Sequence, residues 1–432
     1  MNDGTVVRAS PKNDPLRVAP YENQKNYLLT YHLMTNRRNF LKRTALLGAA
    51  VTLPVHHLLA QSAESRVKPA GDGLSPVSYG REMTRKSTPR KITIPHVGEY
   101  MVLKGDFHMH TVFSDGSVMP QDRVREAIDN GLDVISMTDH INSALFRAYP
   151  DTRNVVTIAD RHGAIAPKID QHIPYILAKP EAEKNDLILI RGVEIASREW
   201  HHNCLFVQDV NAIAEANEKR TLLSEGNDWK KMLAVSAEQG GFNFWNHPDN
   251  VIESTPDKKA PLRFFEAIND VRAKGHLHGV EVFNGTSFYP VALDWCNEHD
   301  MVPMANTDIH SSEWSMYGHQ NLLRPMTLVL AKERTHDSIR EAFFAGRMIG
   351  WAAGMILGRP LWVEQLFRSS VNIEKAASGL TLRNLSDIPC LIEINGKSSE
   401  LSAKGTLAIA ATNKLTVSNW FVGMNKPLEI TM

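Results

Sequence analysis

The chain has 432 residues, with Lys+Arg and Asp+Glu balanced at 48 each and a formal net charge of +0. That balance lacks the broad basic field of a nucleic-acid binder, so no stable nucleic-acid partner is expected. Hydrophobic residues at 43% and charged residues at 22% are ordinary for a globular protein with a large core, and Cys204, Cys296 and Cys390, which form no CxxC pair, exclude a zinc knuckle or disulfide framework.

Residues 1–33 are hydrophilic and read as an upstream extension, with translation expected to begin at Met34. Residues 34–63 read as a twin-arginine signal peptide: Arg37-Arg38-Asn39-Phe40-Leu41-Lys42 precedes an apolar run from Thr44 to Val55. That run is too short to span a bilayer, so no transmembrane segment is expected in the mature protein. Ala60 or a small neighbour is the expected cleavage point. The reading implies the twin-arginine export machinery as a partner and a periplasmic location. Residues 64–90, rich in Pro, Gly, Ser and basic residues, read as a linker.

Over residues 91–355, short apolar runs alternate with helical patterns. Leu132 to Met137, Leu187 to Val193, Leu205 to Val207, Phe242 to Trp245, Val280 to Phe283, Val302 to Ala305 and Thr327 to Leu330 read as strands. Helices are expected from Pro120 to the Gly131 stop, from Pro261 to Gly275, and from Thr335 and Asp337 to Gly346. Repeated units of this length predict an α/β fold with a parallel sheet closed into a barrel. The long stretch from Ile141 to Asp186, carrying Arg147, Arg153, Arg161, His162 and His172, is a candidate lid on the rim. Residues 360–432 read as a small all-β, sandwich-like domain. Gly379 to Leu385 and Cys390 to Ile394 alternate, Asn395-Gly396 is a hairpin signal, and further strands follow at Leu407, Leu415 and Leu428.

Metal-type ligands recur along the predicted α/β region in compact phrases. Gly105-Asp106-Phe107-His108-Met109-His110 leads to Ser114-Asp115-Gly116. Then come Thr138-Asp139-His140, Gly192-Val193-Glu194, His202, Asn246-His247-Pro248 and Thr307-Asp308-Ile309-His310. His108 and His110, two apart on a predicted strand, share one face, and Asp308 with His310 repeats that spacing. Several ligands fall at the carboxyl ends of predicted strands, the rim where α/β barrels place their sites. Imidazoles mixed with carboxylates suit two or three divalent metals, Mn first and Zn or Fe as alternatives, in a hydrolytic centre.

These phrases resemble the PHP (polymerase and histidinol phosphatase) family. Asp106-Phe107-His108, His202-Asn203-Cys204-Leu205-Phe206, Phe244-Trp245-Asn246-His247-Pro248 and Arg324-Pro325-Met326-Thr327-Leu328-Val329 look like its Sb-PDE-like phosphodiesterase branch. The resemblance implies a distorted (β/α)7 barrel. It also implies a first metal on His108, His110, Glu194 and Asp308, a second on Glu194, His202 and His247, and a third on Asp115, His140 and His310. His202 is preferred over the adjacent His201 because His-Asn before an apolar strand matches the branch phrase.

The expected chemistry is attack of a metal-bridged hydroxide on the phosphorus of a small organic phosphodiester. Arg198 and Arg324 are candidates for offsetting phosphoryl charge, and His319 and Asp139 for protonating the leaving group. The alternatives are a phosphomonoesterase, a 3′–5′ exonuclease or a non-catalytic metal-binding protein.

Overall fold

The computed structural model describes residues 89–141, 170–197, 199–217, 228–253, 260–376 and 379–432. The expected extension and signal peptide lie outside these residues, as do most of the linker and most of the candidate lid.

Strand β1 (Met101–Asp106) pairs in parallel with β2 (Val134–Met137), and β2 with β3 (Ile188–Ala196). Between β1 and β2 lies α1 (Pro120–Asp129), with Pro at its first turn and Gly131 beyond it at φ 74. Such a left-handed position favours glycine, which is why the stop was legible. Helix α2 (Ile173–Lys184) packs on α1 and leads into β3.

The parallel pattern then breaks. β4 (His201–Leu205) is antiparallel to both β3 and β5 (Phe242–Trp245). The expected strand over Leu205 to Val207 therefore starts at His201, and Phe206 already has φ 61. Parallel order resumes through β5, β6 (Gly279–Asn284) and β8 (Val302–Asn306), with the short β7 (Ser287–Phe288) hairpinned on β6.

β9 (Met326–Ala331) runs antiparallel to β1 on the other flank and pairs with β10 (Met348–Ala352). The two flanks of the sheet approach each other: the Thr327 hydroxyl of β9 donates to the carbonyl of Ala305 on β8 and accepts from its N–H, both at 2.9 Å. Gly350 of β10 lies so close to Ala305 that a Cβ there would meet the Ala305 methyl at 2.8 Å. The sheet is curled around an apolar interior that includes Leu103, Val134, Ile190, Phe244, Met304 and Val329, while Met109, Ile135, Met326 and Ile349 pack on its other face with residues of α1 and α2.

The C-terminal strands continue this sheet. β11 (Met355–Gly358) is antiparallel to β10 and parallel to β17 (Lys414–Gly423), which is flanked by β14 (Cys390–Ile394) and β18 (Lys426–Thr431). The Asn395-Gly396 turn joins β14 to β15 (Lys397–Leu401) with φ 48 and 75, the left-handed pair a tight hairpin needs. A three-stranded sheet of β12 (Val371–Ala376), β13 (Gly379–Asn384) and β16 (Thr406–Ile409) lies beside it. The described residues belong to one compact unit, and hydrogen bonding is continuous from β11 into β17. No helix among the described residues is long and apolar enough to cross a membrane.

Candidate metal centre

His108 and His110 lie just past the end of β1 on an extended segment. Met109 between them is buried in the core, its N–H bonded to the Thr138 hydroxyl at 3.0 Å. Period-two alternation therefore sends both histidines to the opposite face. Met109 also bridges Ile309, which brings the segment after β8 alongside, and His140 bridges Glu194. Asp308 and His247 have φ 51 and 22, a region that side-chain-bearing residues rarely adopt.

The side chains so placed form overlapping groups of ligand atoms lying within 4.8 Å of one another. These are His110, Asp115, His140 and His310; His108, His247 and Asp308; His108, His110 and Glu194; and His140, Glu194 and His201. Glu194 is the common member. Its Oε2 lies 3.4, 3.2 and 3.0 Å from His108, His110 and His140, and its Oε1 lies 3.0 Å from His201 and 3.6 Å from His247.

His201, not His202, joins this cluster, which corrects the expectation from sequence. Glu194 sits directly opposite Asn203 across the β3–β4 ladder, so His201 and Asn203 share its face. His202 sits opposite Ile195, points the other way and stacks on Trp229 with ring centroids 4.9 Å apart.

The chemistry of the donor set fits divalent metals. Each of four histidines commits one nitrogen to an outer acceptor, leaving the other with its lone pair towards the cluster. His108 Nδ1 donates to Glu281 Oε1 at 2.9 Å, and His310 Nδ1 to the Asp308 carbonyl at 2.8 Å. His201 Nε2 donates to the Ser197 carbonyl at 2.8 Å. His110 Nδ1 donates to Ser114 Oγ at 3.1 Å, since that hydroxyl gives its own hydrogen to Asp139 at 2.7 Å. The inward atoms His108 Nε2, His110 Nε2, His140 Nδ1, Glu194 Oε2 and Asp115 Oδ1 are buried without a hydrogen-bond partner. Lone pairs converging on one buried space are the arrangement a cation satisfies.

Charge follows the same pattern. Burial pulls the His108 and His140 pKa values down, but the surrounding carboxylates outweigh it and hold both well above the usual range. Burial also lowers His247, yet Glu194 and Asp308 raise it to about 8. Burial would lift the Glu194 carboxyl, but the imidazoles around it, His140 and His108 foremost, hold it well below the ordinary value.

The non-metal candidates are placed elsewhere. Arg324 is fully buried and pairs with Asp106 beneath the site, so it does not face a substrate. Asp139 accepts from the Thr111 N–H at 2.7 Å and from the Thr111 and Ser114 hydroxyls, which makes it the anchor of the turn that orients His110. His319 is exposed and bonds the Trp314 carbonyl and Gln320. Arg198 lies outside the described residues.

Sequence reading missed Arg123, whose guanidinium is fully buried on α1. It donates to the carbonyls of His110 at 2.9 Å, Ile309 at 3.0 Å and Ser311 at 2.7 Å, tying the two ligand-bearing segments together. A charged residue on the inner face of a helix was the available signal. Arg123→Met strips the His110 and Ser311 carbonyls of this donor and leaves the Ile309 carbonyl only the His110 N–H at 3.1 Å, so it is expected to cost about 3 kcal/mol or more. Urea unfolding of the chelator-treated protein checks this; an unchanged midpoint would count against it.

Residues 106–274 match the family model of the PHP domain. This segment is similar to the PHP domain. The solved structure of a Bacteroides vulgatus two-domain protein, containing a predicted PHP-like metal-dependent phosphoesterase, superposes with a TM-score of 0.67. The two are 28% identical over 80% of this chain and 98% of that one. A metal-dependent phosphoesterase candidate from Bifidobacterium adolescentis (17% identity, 48% of this chain and 87% of that one) superposes with a TM-score of only 0.34. No curated protein matches. The PHP domain match holds His108, His110, Asp115, His140, Glu194, His201 and His247, and ends before Asp308 and His310. The described residues thus present a PHP-like metal-dependent phosphoesterase fold with clustered His, Asp and Glu side chains.

Proposed function

We propose that this protein is an exported metal-dependent phosphodiesterase acting on small organic phosphodiesters, built on a distorted (β/α)7 PHP barrel. The observation that carries the metal-dependent part is the convergence of unpartnered His108, His110, His140, Glu194 and Asp115 atoms. Two or three divalent ions, Mn foremost, bound by His108, His110, Asp115, His140, Glu194, His201, His247, Asp308 and His310 would polarise phosphoryl oxygens and lower the pKa of water.

The chain's own residues define how the substrate meets them. The Asp115 and His310 side chains are 37% and 38% exposed, whereas His108, His110 and Glu194 are fully buried. The phosphoester therefore enters from the Asp115–His310 side. Ser114, Ser197, Glu281 and the Asp308 carbonyl fix the imidazole tautomers, so the lone pairs are in place before substrate arrives.

Diester preference is supported by the branch-level phrases in the sequence, and periplasmic location by Arg37-Arg38 and the apolar run behind it. Manganese-loaded protein is expected to turn over an aryl phosphodiester faster than the matching monoester or a short oligonucleotide. Monoester turnover well above diester turnover would replace this reading with a phosphomonoesterase. Retention in the cytoplasm of an Arg37→Lys, Arg38→Lys double variant, with export of the parent, tests the location.

A further inference from the structure

Glu281 is a fully buried carboxylate on β6, away from the ligand phrases of the sequence. Its Oε1 accepts from His108 Nδ1 at 2.9 Å and from Asn306 Nδ2 at 3.0 Å. Its Oε2 accepts from the backbone N–H of His247 at 2.8 Å and from Asn284 Nδ2 at 2.7 Å. The same Asn284 amide reaches Asp308 Oδ2 at 3.3 Å. One carboxylate and the amide three residues later thus hold His108, His247 and Asp308, the three members of one ligand group. Two of those three have left-handed backbone, φ 22 at His247 and 51 at Asp308, which needs outside contacts to persist.

We infer that Glu281 and Asn284 are positioning residues that assemble the His108–His247–Asp308 metal position and have no part in holding an ion at Asp115–His140–His310. The inference rests on the metal-dependent part of the proposed function. Glu281 fixes the His108 tautomer so that Nε2 faces inward, and it pins the strained turn at His247. Asn284 steers one oxygen of Asp308, which leaves Oδ1 to His108 and His110, at 3.1 and 3.0 Å. Outer partners of this kind change metal affinity by roughly 10–100-fold. By contrast, the Asp115 group takes its order from the Ser114 hydroxyl and the Asp308 backbone carbonyl, whereas Asn284 touches Asp308 through its side chain alone.

The test is equilibrium dialysis of the full chain against Mn(II) alone, for wild type, Glu281→Gln and Asn284→Ala. Asn284 is only half-buried, so its truncation keeps the experiment decisive if Glu281→Gln folds poorly. Both variants should show one Mn(II) equivalent weakened by roughly 10–100-fold and the remaining binding unchanged. Asn284→Ala should melt like wild type in EDTA and recover wild-type kcat at saturating Mn(II). An Asn284→Ala isotherm that superimposes on wild type, or a loss spread over every equivalent, overturns the assignment. A wild type that binds no Mn(II) sinks this inference together with the metal-dependent reading. A wild type that binds Mn(II) but hydrolyses no phosphoester defeats the proposed activity alone.

Discussion

Glu194→Gln is expected to lower kcat/KM towards an aryl phosphodiester by at least ~10³-fold, about 4 kcal/mol of barrier, with loss of bound metal. The amide keeps the shape of the side chain and removes the one charge that faces five imidazoles. Oε2 lies within 3.4 Å of His108, His110 and His140, and Oε1 faces His201 and His247. A carboxylate shared in this way can serve neighbouring ions, while a neutral amide presents its N–H₂ hydrogens to one side of the cluster. The variant also tests the electrostatics without metal. The Glu194 pKa is depressed in the folded chain, so its ionised form contributes stability above the unfolded carboxyl pKa and loses it as pH falls through the folded value. Metal-free Glu194→Gln should therefore lose part of the wild-type acid dependence as well as stability near neutral pH. Full metal content and activity in this variant would remove Glu194 from the centre of the site.

The site was legible in the sequence to the extent that ligands follow local rules. His108 and His110 are two apart on extended backbone, and Asp115 and His140 fall beyond the ends of β1 and β2, where loops carry side chains to one rim. The glycine stops at Gly131, Gly275 and Gly346 all have positive φ, so helix ends were readable from a single residue type. What local rules could not supply was strand direction. Seven apolar runs suggested uniform parallel repeats, but β4 and β9 run against the others, and only the pairing register reveals it.

The same limit applied to supporting residues. Glu281 is the single charged residue in the apolar run from Val280 to Phe283, and its burial carried the signal. Its four partners come from segments around residues 108, 247, 284 and 306, which only the fold brings together. Arg324 went the other way. Its sequence context suggested a rim cation, but β9 begins two residues later and carries it under the site against Asp106. Fully buried guanidinium paired with fully buried carboxylate is a structural arrangement, and breaking it would strand a charge.

His201→Ala and His202→Phe should have opposite consequences, although the two residues are neighbours. His201→Ala removes Nδ1 from beside Glu194 Oε1 and is expected to cost ~10²–10³-fold in kcat/KM, about 3–4 kcal/mol, with a drop in bound metal. His202→Phe should keep metal and activity, because the ring at position 202 lies on the Trp229 side of β4 with both nitrogens lacking a hydrogen-bond partner. Its effect should appear in stability against pH instead. Burial, helped by repulsion from His201, pushes the His202 pKa down to about 3. A folded pKa below the unfolded one favours unfolding on acidification, so wild-type stability attributable to His202 is complete above about pH 6.5 and lost as pH falls towards 3. Phe cannot take up that proton, so the variant should hold its melting temperature better than wild type over that window. Near pH 7 the difference should stay within about 1.5 kcal/mol, since the swap nearly conserves volume and ring stacking. Metal analysis and melting curves between pH 7 and 4 for both variants decide the point. Loss of metal in His202→Phe with retention in His201→Ala would mean that β4 pairs with β3 one residue out of the register described above.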